Sequence, residues 1–189
     1  MKNIRLYKKI TRYVILLSFF LVGNFTRILA YPTTHTLAVA NLTQYNAFMC
    51  WAADSAVILQ YHGTSVSQID FAKSVKGEYD WGFYANFSEV QFGFSNYGKT
   101  STIYNSYLSF TNTRQEIYPN YRPFIAGLHS NRSDYSNHMV AVKGYTILSD
   151  NYVRYMDPFY GTTYTKLYSS FVGNSSTNYN WSQTLYNIH

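Results

Sequence analysis

From Cys50 to Tyr61 the chain reads CWAADSAVILQY, with no glycine or proline, many alanines, and His62-Gly63 directly behind it. Such a run predicts a helix, because these residues lose little on becoming helical and a following glycine supplies the turn that stops it. After Arg122 the periodicity changes. Residues 123–129 (PFIAGLH), 138–146 (HMVAVKGYT) and 152–156 (YVRYM) are short runs of β-branched and aromatic residues, separated by Ser, Asn, Asp and Gly. Helices first and strands second predict an α+β domain built on an antiparallel sheet.

Weaker signals fill in the frame. Ser65 and Gln68 have the spacing of a capping box and open a second helix at about residues 67–76. A short helix is expected from Ser88, and another over 111–118, where Pro119 ends it. Residues 173–180 are rich in Asn and Ser and read as loop, so 173–189 is expected to be a loop-rich tail. With 21 Tyr, 13 Phe and 3 Trp the chain can bury a core, and 189 residues suit one domain. A single cysteine excludes a disulfide scaffold and argues against structural zinc, so no metal and no cofactor is expected.

The net charge of +6 is unevenly placed. Six of the fifteen basic residues lie in the first 30, where there is no acid, and the remaining nine face nine acids. Residues 31–189 are therefore neutral, without the basic footprint of a nucleic-acid binder. The basic stretch precedes an apolar run of 11 residues, YVILLSFFLVG, from Tyr13 to Gly23. That is shorter than the ~20 residues of a membrane-spanning helix and fits a secretory signal. Cleavage is expected after Ala30, although Ala38-Val39-Ala40 has the better small-residue pattern farther from the apolar run. An uncleaved anchor or a buried helix is the alternative. The expectation is a secreted domain of residues 31–189, monomeric and free of stable membrane association.

Cys50 falls in the first turn of the predicted helix, where unpaired backbone N–H groups favour an anion and hence a thiolate. A small buried hydrophobe is the competing explanation. A nucleophile needs a base. His62 lies about 18 Å along the same helix, at ~1.5 Å per residue, and cannot reach Cys50. His35 is near the expected mature N-terminus and His189 is last. His138, which opens a strand, is the favoured base, and His129, which ends the preceding strand, is the other candidate. Asp157 follows the strand at 152–156; if that strand pairs antiparallel with 138–146 through a turn near 148–151, His138 and Asp157 become neighbours. A carboxylate there would orient the imidazole, though a turn residue before Pro158 is the simpler reading. Gln44, six residues before Cys50, could aim an amide at a tetrahedral oxyanion.

The string Gln44-x5-Cys50-Trp51-Ala52-Ala53, then Asn137-His138-Met139-Val140-Ala141-Val142, then Tyr155-Met156-Asp157-Pro158, resembles the papain-like cysteine peptidases. It is most similar to the compact bacterial forms, such as plant-pathogen effector peptidases and bacteriocin-leader peptidases. The resemblance runs from 44 to about 172. It implies a two-lobed fold: a helical lobe at about 44–98 carrying Cys50, and a sheet lobe at about 99–172 carrying His138. It also implies a peptide or protein substrate in the cleft between them. Asn137 departs from the glycine often found before the family's histidine, and the 31–43 segment is too short for a folded pro-segment.

These residues point to an exported cysteine peptidase with a Cys50, His138, Asp157 triad and Gln44 at the oxyanion. The same triad would serve transglutaminase-like transfer or hydrolysis of cell-wall amides. A non-catalytic secreted binding module, using its aromatic surface, is the other class of function.

Overall fold

The computed structural model describes residues 31–134 and 136–189, and Pro32–His189 forms one compact unit. The expected secretory signal lies outside the described residues. Five helices and seven strands are described: β1 (Thr34–Thr36), α1 (Cys50–Tyr61), α2 (Gln68–Asp80), α3 (Phe87–Asn96), β2 (Thr102–Tyr104), α4 (Phe110–Ile117), β3 (Phe124–Ser130), β4 (His138–Ile147), β5 (Asn151–Asp157), β6 (Thr162–Leu167), α5 (Tyr168–Val172) and β7 (Tyr179–Tyr186). The expected α+β class is what forms. Among the described residues no helix is long and apolar enough to cross a membrane.

Helix α1 is buried continuously from Trp51 to Leu59. Helices α2 and α3 cover one side of it and β4 of the sheet covers another. Each large apolar side chain fully withdrawn from water there contributes about 1.5–3 kcal/mol. Trp51 stacks at an angle on Phe71 of α2, which in turn meets Phe94 of α3. This layer corresponds to the expected helical lobe.

The helix starts differ from the sequence expectation in an instructive way. Ser67, and not Ser65, caps α2 by accepting from the Asp70 N–H. Gln68 is spent elsewhere: its carbonyl accepts from the Tyr45 N–H and its amide donates to the Thr43 carbonyl. It therefore clamps the segment that carries Gln44. Helix α2 also runs on to Asp80, past a break at Gly77 where φ is 80°. Helix α3 begins on an Asn86–Glu89 capping box, and Ser109 caps α4.

The sheet is ordered β2-β7-β3-β4-β5-β6, with β1 added to the far half of β4, and every pairing is antiparallel. The tail is not all loop: Tyr179–Tyr186 is a strand between β2 and β3. Its composition conceals it, because its polar residues are satisfied internally. The Thr184 hydroxyl, fully buried, donates to the Ser106 carbonyl, and Trp181 stacks flat on Phe124.

Residues 33–43 form a strap across the sheet. Leu37 and Val39 are buried in the core. Lys143, placed inward by the irregularity between Val142 and Gly144, donates its Nζ to the Val39 carbonyl at 2.7 Å and to Asn41 Oδ1 at 3.1 Å. At Gly144 a Cβ would lie 2.8 Å from the His35 carbonyl oxygen, so only glycine lets β1 come this close.

Candidate active site

The register of the sheet brings the two downstream candidates together. Ala141 pairs with Met156 across β4 and β5, which sets Asp157, at the end of β5, beside the first residues of β4. His138 Nε2 and Asp157 Oδ1 are 2.8 Å apart, and both side chains are mostly shielded from solvent. Asp157 Oδ1 also accepts from the Phe159 N–H at 3.0 Å, which fixes the carboxylate before it meets the ring. Asp157 is thus both the turn residue before Pro158 and the partner of His138.

With Nε2 engaged by Asp157, Nδ1 is the ring nitrogen left for Cys50. Burial by itself would lower the His138 pKa. Hydrogen bonds to Asp157 and to Cys50, and then the charges of both, more than reverse this and push it up to about 10. The imidazolium is therefore the resting form at neutral pH, held between a carboxylate and the Cys50 sulfur.

Cys50 is the first residue of α1 and is partly exposed. Met49 precedes it without a side-chain cap, and the first turn carries no acid. No side chain of the helix end itself thus competes for its positive pole. Trp51 locks this end from behind: its Nε1 donates to the Phe83 carbonyl, tying α1 to the loop before α3.

Gln44 is nearly buried, and its backbone N–H donates to the Pro158 carbonyl at 2.8 Å, so it sits beside the Asp157-Pro158 turn. Its Nε2 donates to the Asn46 carbonyl at 2.7 Å, which also receives the Met49 N–H. The amide therefore braces the short loop that leads into Cys50, with one N–H of the amide nitrogen beyond that bond.

Cys50 and His138 line an open cleft of about 640 Å³. Phe48 and Tyr84 are its exposed aromatic rim, and Phe87 closes the far wall against β3. A Cβ at Gly127 would come within 2.7 Å of the Phe87 ring, so the seam between α3 and β3 is packed to backbone contact. Asn137 also lines the cleft; its Oδ1 accepts from the Ser130 N–H and closes the loop before His138.

His129 lines the cleft too but is exposed, and the Asp157 carboxylate is taken by His138. His62 caps the far end of α1, His35 packs on Tyr118 and Tyr121, and His189 pairs with Thr100. Among the described residues no three His, Cys, Asp or Glu side chains gather to hold a metal ion.

Sequence reasoning passed over Asp54. It lies one helical turn beyond Cys50, is fully buried, and neither of its carboxyl oxygens has a side-chain hydrogen-bond partner. An acid in the middle of an alanine-rich run was the available signal.

The family model described as the Peptidase_C39 like family matches residues 36–186, most of the chain. Comparison with curated protein sequences gives no match. Among solved structures, the chain is similar to the peptidase domain of Streptococcus ComA, a bi-functional ABC transporter involved in a quorum sensing pathway. That likeness has a TM-score of 0.58 at 11% identity and covers 79% of this chain and 97% of the other. It is also similar to a double glycine motif protease from an AMS/PCAT transporter, solved in complex with the leader peptide. There the TM-score is 0.54 at 19% identity, covering 80% of this chain and 92% of the other. The papain-like fold implied by the sequence is the fold these neighbours share, and the chain belongs to the Peptidase_C39 like family, as a cysteine-type peptidase.

Proposed function

We propose that this protein is an exported cysteine peptidase in which Cys50 is the nucleophile, His138 the proton shuttle, Asp157 the orienting carboxylate and Gln44 an oxyanion donor. The observation that carries the reading is the 2.8 Å contact between His138 Nε2 and Asp157 Oδ1, made in the same cleft that Cys50 lines.

The chemistry runs from the charged resting pair. The Cys50 thiolate adds to the carbonyl carbon of the scissile peptide bond, and the oxyanion forms near the Cys50 backbone N–H and the Gln44 amide. The imidazolium of His138 gives its proton to the departing amine nitrogen, the C–N bond breaks, and a thioester remains. Water then gives a proton back to His138 as its oxygen attacks the thioester, releasing the acid and restoring the thiolate. Asp157 keeps Nε2 engaged throughout, so that Nδ1 stays aimed at the reacting atoms.

A peptide substrate is supported by the open cleft with its aromatic rim, and by the neighbour solved with a leader peptide. Export is supported by the basic stretch and the apolar run of residues 13–23. Cleavage after Ala30 would leave β1 intact, whereas cleavage after Ala40 would strip Leu37 and Val39 out of the core, so Ala30 is the proposed site.

The test is a peptide library incubated with the purified protein and with Cys50→Ala, products read by mass spectrometry. New free acids and amines that require Cys50 support hydrolysis. Products joined to an added amine in place of water would assign the transferase alternative, and no product at all would return the chain to the binding-module class.

A further inference from the structure

Asp54 takes no part in the mechanism above, yet it is built into the same site. It follows Cys50 by one turn on α1, on the same face of the helix, with no exposed surface and no side-chain hydrogen-bond partner for either carboxyl oxygen, the Ala141 backbone N–H acting on it only weakly. The titratable groups that act on it are Cys50 on its own helix, His138 on β4 and Asp157 on β5. On the other elements packed against α1, the acids and bases are engaged elsewhere or face outward. Lys73 pairs with Glu78, Lys76 pairs with Glu89, Asp70 serves the cap of α2, and His129 of β3 is exposed.

The charge gathered in this cluster disfavours a further anion. In the resting pair proposed above, a thiolate, an imidazolium and a carboxylate already sum to one negative charge. An ionised Asp54 would add a second around a single cation, out of reach of water, where like charges repel most strongly. Burial above all, and next the charge at Cys50, hold the Asp54 carboxyl well above the ordinary carboxylate range. His138, Asp157 and the Ala141 backbone N–H contribute less, His138 and Ala141 in the opposite direction.

We propose that Asp54 is a positioning residue that works as the neutral acid, so that of the two acids one turn apart on α1, the partly exposed Cys50 carries the negative charge opposite His138 and the buried Asp54 carries the proton. This rests on the reading of Cys50 and His138 as the catalytic pair. The sign of its effect on stability follows directly. The folded protein keeps a proton on Asp54 that the unfolded chain releases above about pH 4, so this contribution to stability is complete below that pH and is lost as pH rises toward the folded value. By reciprocity, removing the charge at Cys50 must make Asp54 easier to ionise.

The experiment is urea unfolding of the purified protein from pH 4 to pH 8, comparing the wild type with Asp54→Asn, and the same pair in a Cys50→Ser background. The two Cys50 proteins should have similar pH dependence near pH 4. Above it the folding equilibrium constant of Asp54→Asn should gain on the wild type by up to about tenfold per pH unit, the slope of a single proton. With Cys50→Ser the gain should level off at lower pH. Asp54→Ala, whatever its absolute stability, must show the same slope against the wild type. A gap that does not change with pH would overturn the neutral-acid assignment. A levelling pH that is identical with and without Cys50 would break its link to the catalytic pair. Peptide cleavage retained by Cys50→Ser would sink the Cys50 reading, while the pH slope of Asp54 would stand apart from it.

Discussion

Asp157 Oδ1 bridges the His138 imidazole and the Phe159 backbone N–H, at 2.8 and 3.0 Å, so the carboxylate that orients the ring is itself held by the turn it starts. Removing this group should therefore free the ring. Asp157→Ala should cost about 10²-fold or more in kcat by freeing the ring, whereas Asp157→Asn, which can still accept the ring N–H, should stay within about tenfold. Steady-state kinetics on one peptide, with thermal stability recorded on the same samples, checks the ordering. Equal losses in both variants would show that the acceptor geometry is not what matters.

The pH profile follows from the charge on the ring. Because the active pair needs a protonated imidazole, and the His138 pKa is pushed up to about 10, the alkaline limb of kcat/KM should lie well above pH 6.5, the usual range of a histidine. Activity should be lost as pH rises through that limb. In Asp157→Ala the limb should move down, since one of the two groups stabilising the imidazolium is gone. A wild-type limb near 6.5 would contradict the ion-paired resting state.

Gln44 braces the loop before Cys50 through Asn46 and leans on Pro158. Gln44→Ala should lower kcat by roughly 10²-fold, the usual cost of one oxyanion donor, with a smaller effect on KM. An unchanged kcat would confine Gln44 to bracing the loop and place the oxyanion donors on the backbone alone.

Packing at the wall of the cleft gives a prediction about stability. Gly127→Ala would push a methyl into the Phe87 ring and should destabilise the fold by about 1–3 kcal/mol, the usual cost of overpacking. Phe87→Leu in the same protein should recover part of that loss. Additive losses, measured by denaturant unfolding, would mean that the two residues do not compete for one space.

Much of this was written in the chain itself. The Cys50–Tyr61 helix was legible because an alanine-rich run without glycine or proline, closed by His62-Gly63, favours a helix, and the pairing of His138 with Asp157 was legible because a short turn between two β-rich runs leaves few registers. Strand β7 was not. Its Asn, Ser and Thr residues look like loop until Ser106 and the neighbouring strands are present to satisfy them. Ser67 caps α2 in place of Ser65, and Gln68 leaves the cap because a tertiary partner, the segment at Thr43 and Tyr45, outcompetes it for the glutamine. Asp54 escaped notice since an acid in a helix usually faces water, and only the elements packed around α1 make it buried.

The central claim is that Cys50 is activated by His138, and alkylation by iodoacetamide measures that most directly. In the wild type, Cys50 should label rapidly at about pH 6, because its partner imidazolium supports negative charge on the sulfur. His138→Ala should slow labelling at pH 6 by at least about tenfold and abolish peptide cleavage, while His129→Ala should keep both the labelling rate and kcat. Rapid labelling that survives His138→Ala but is lost in His129→Ala, or a wild-type rate at about pH 6 no faster than that of an ordinary free thiol, would contradict the account.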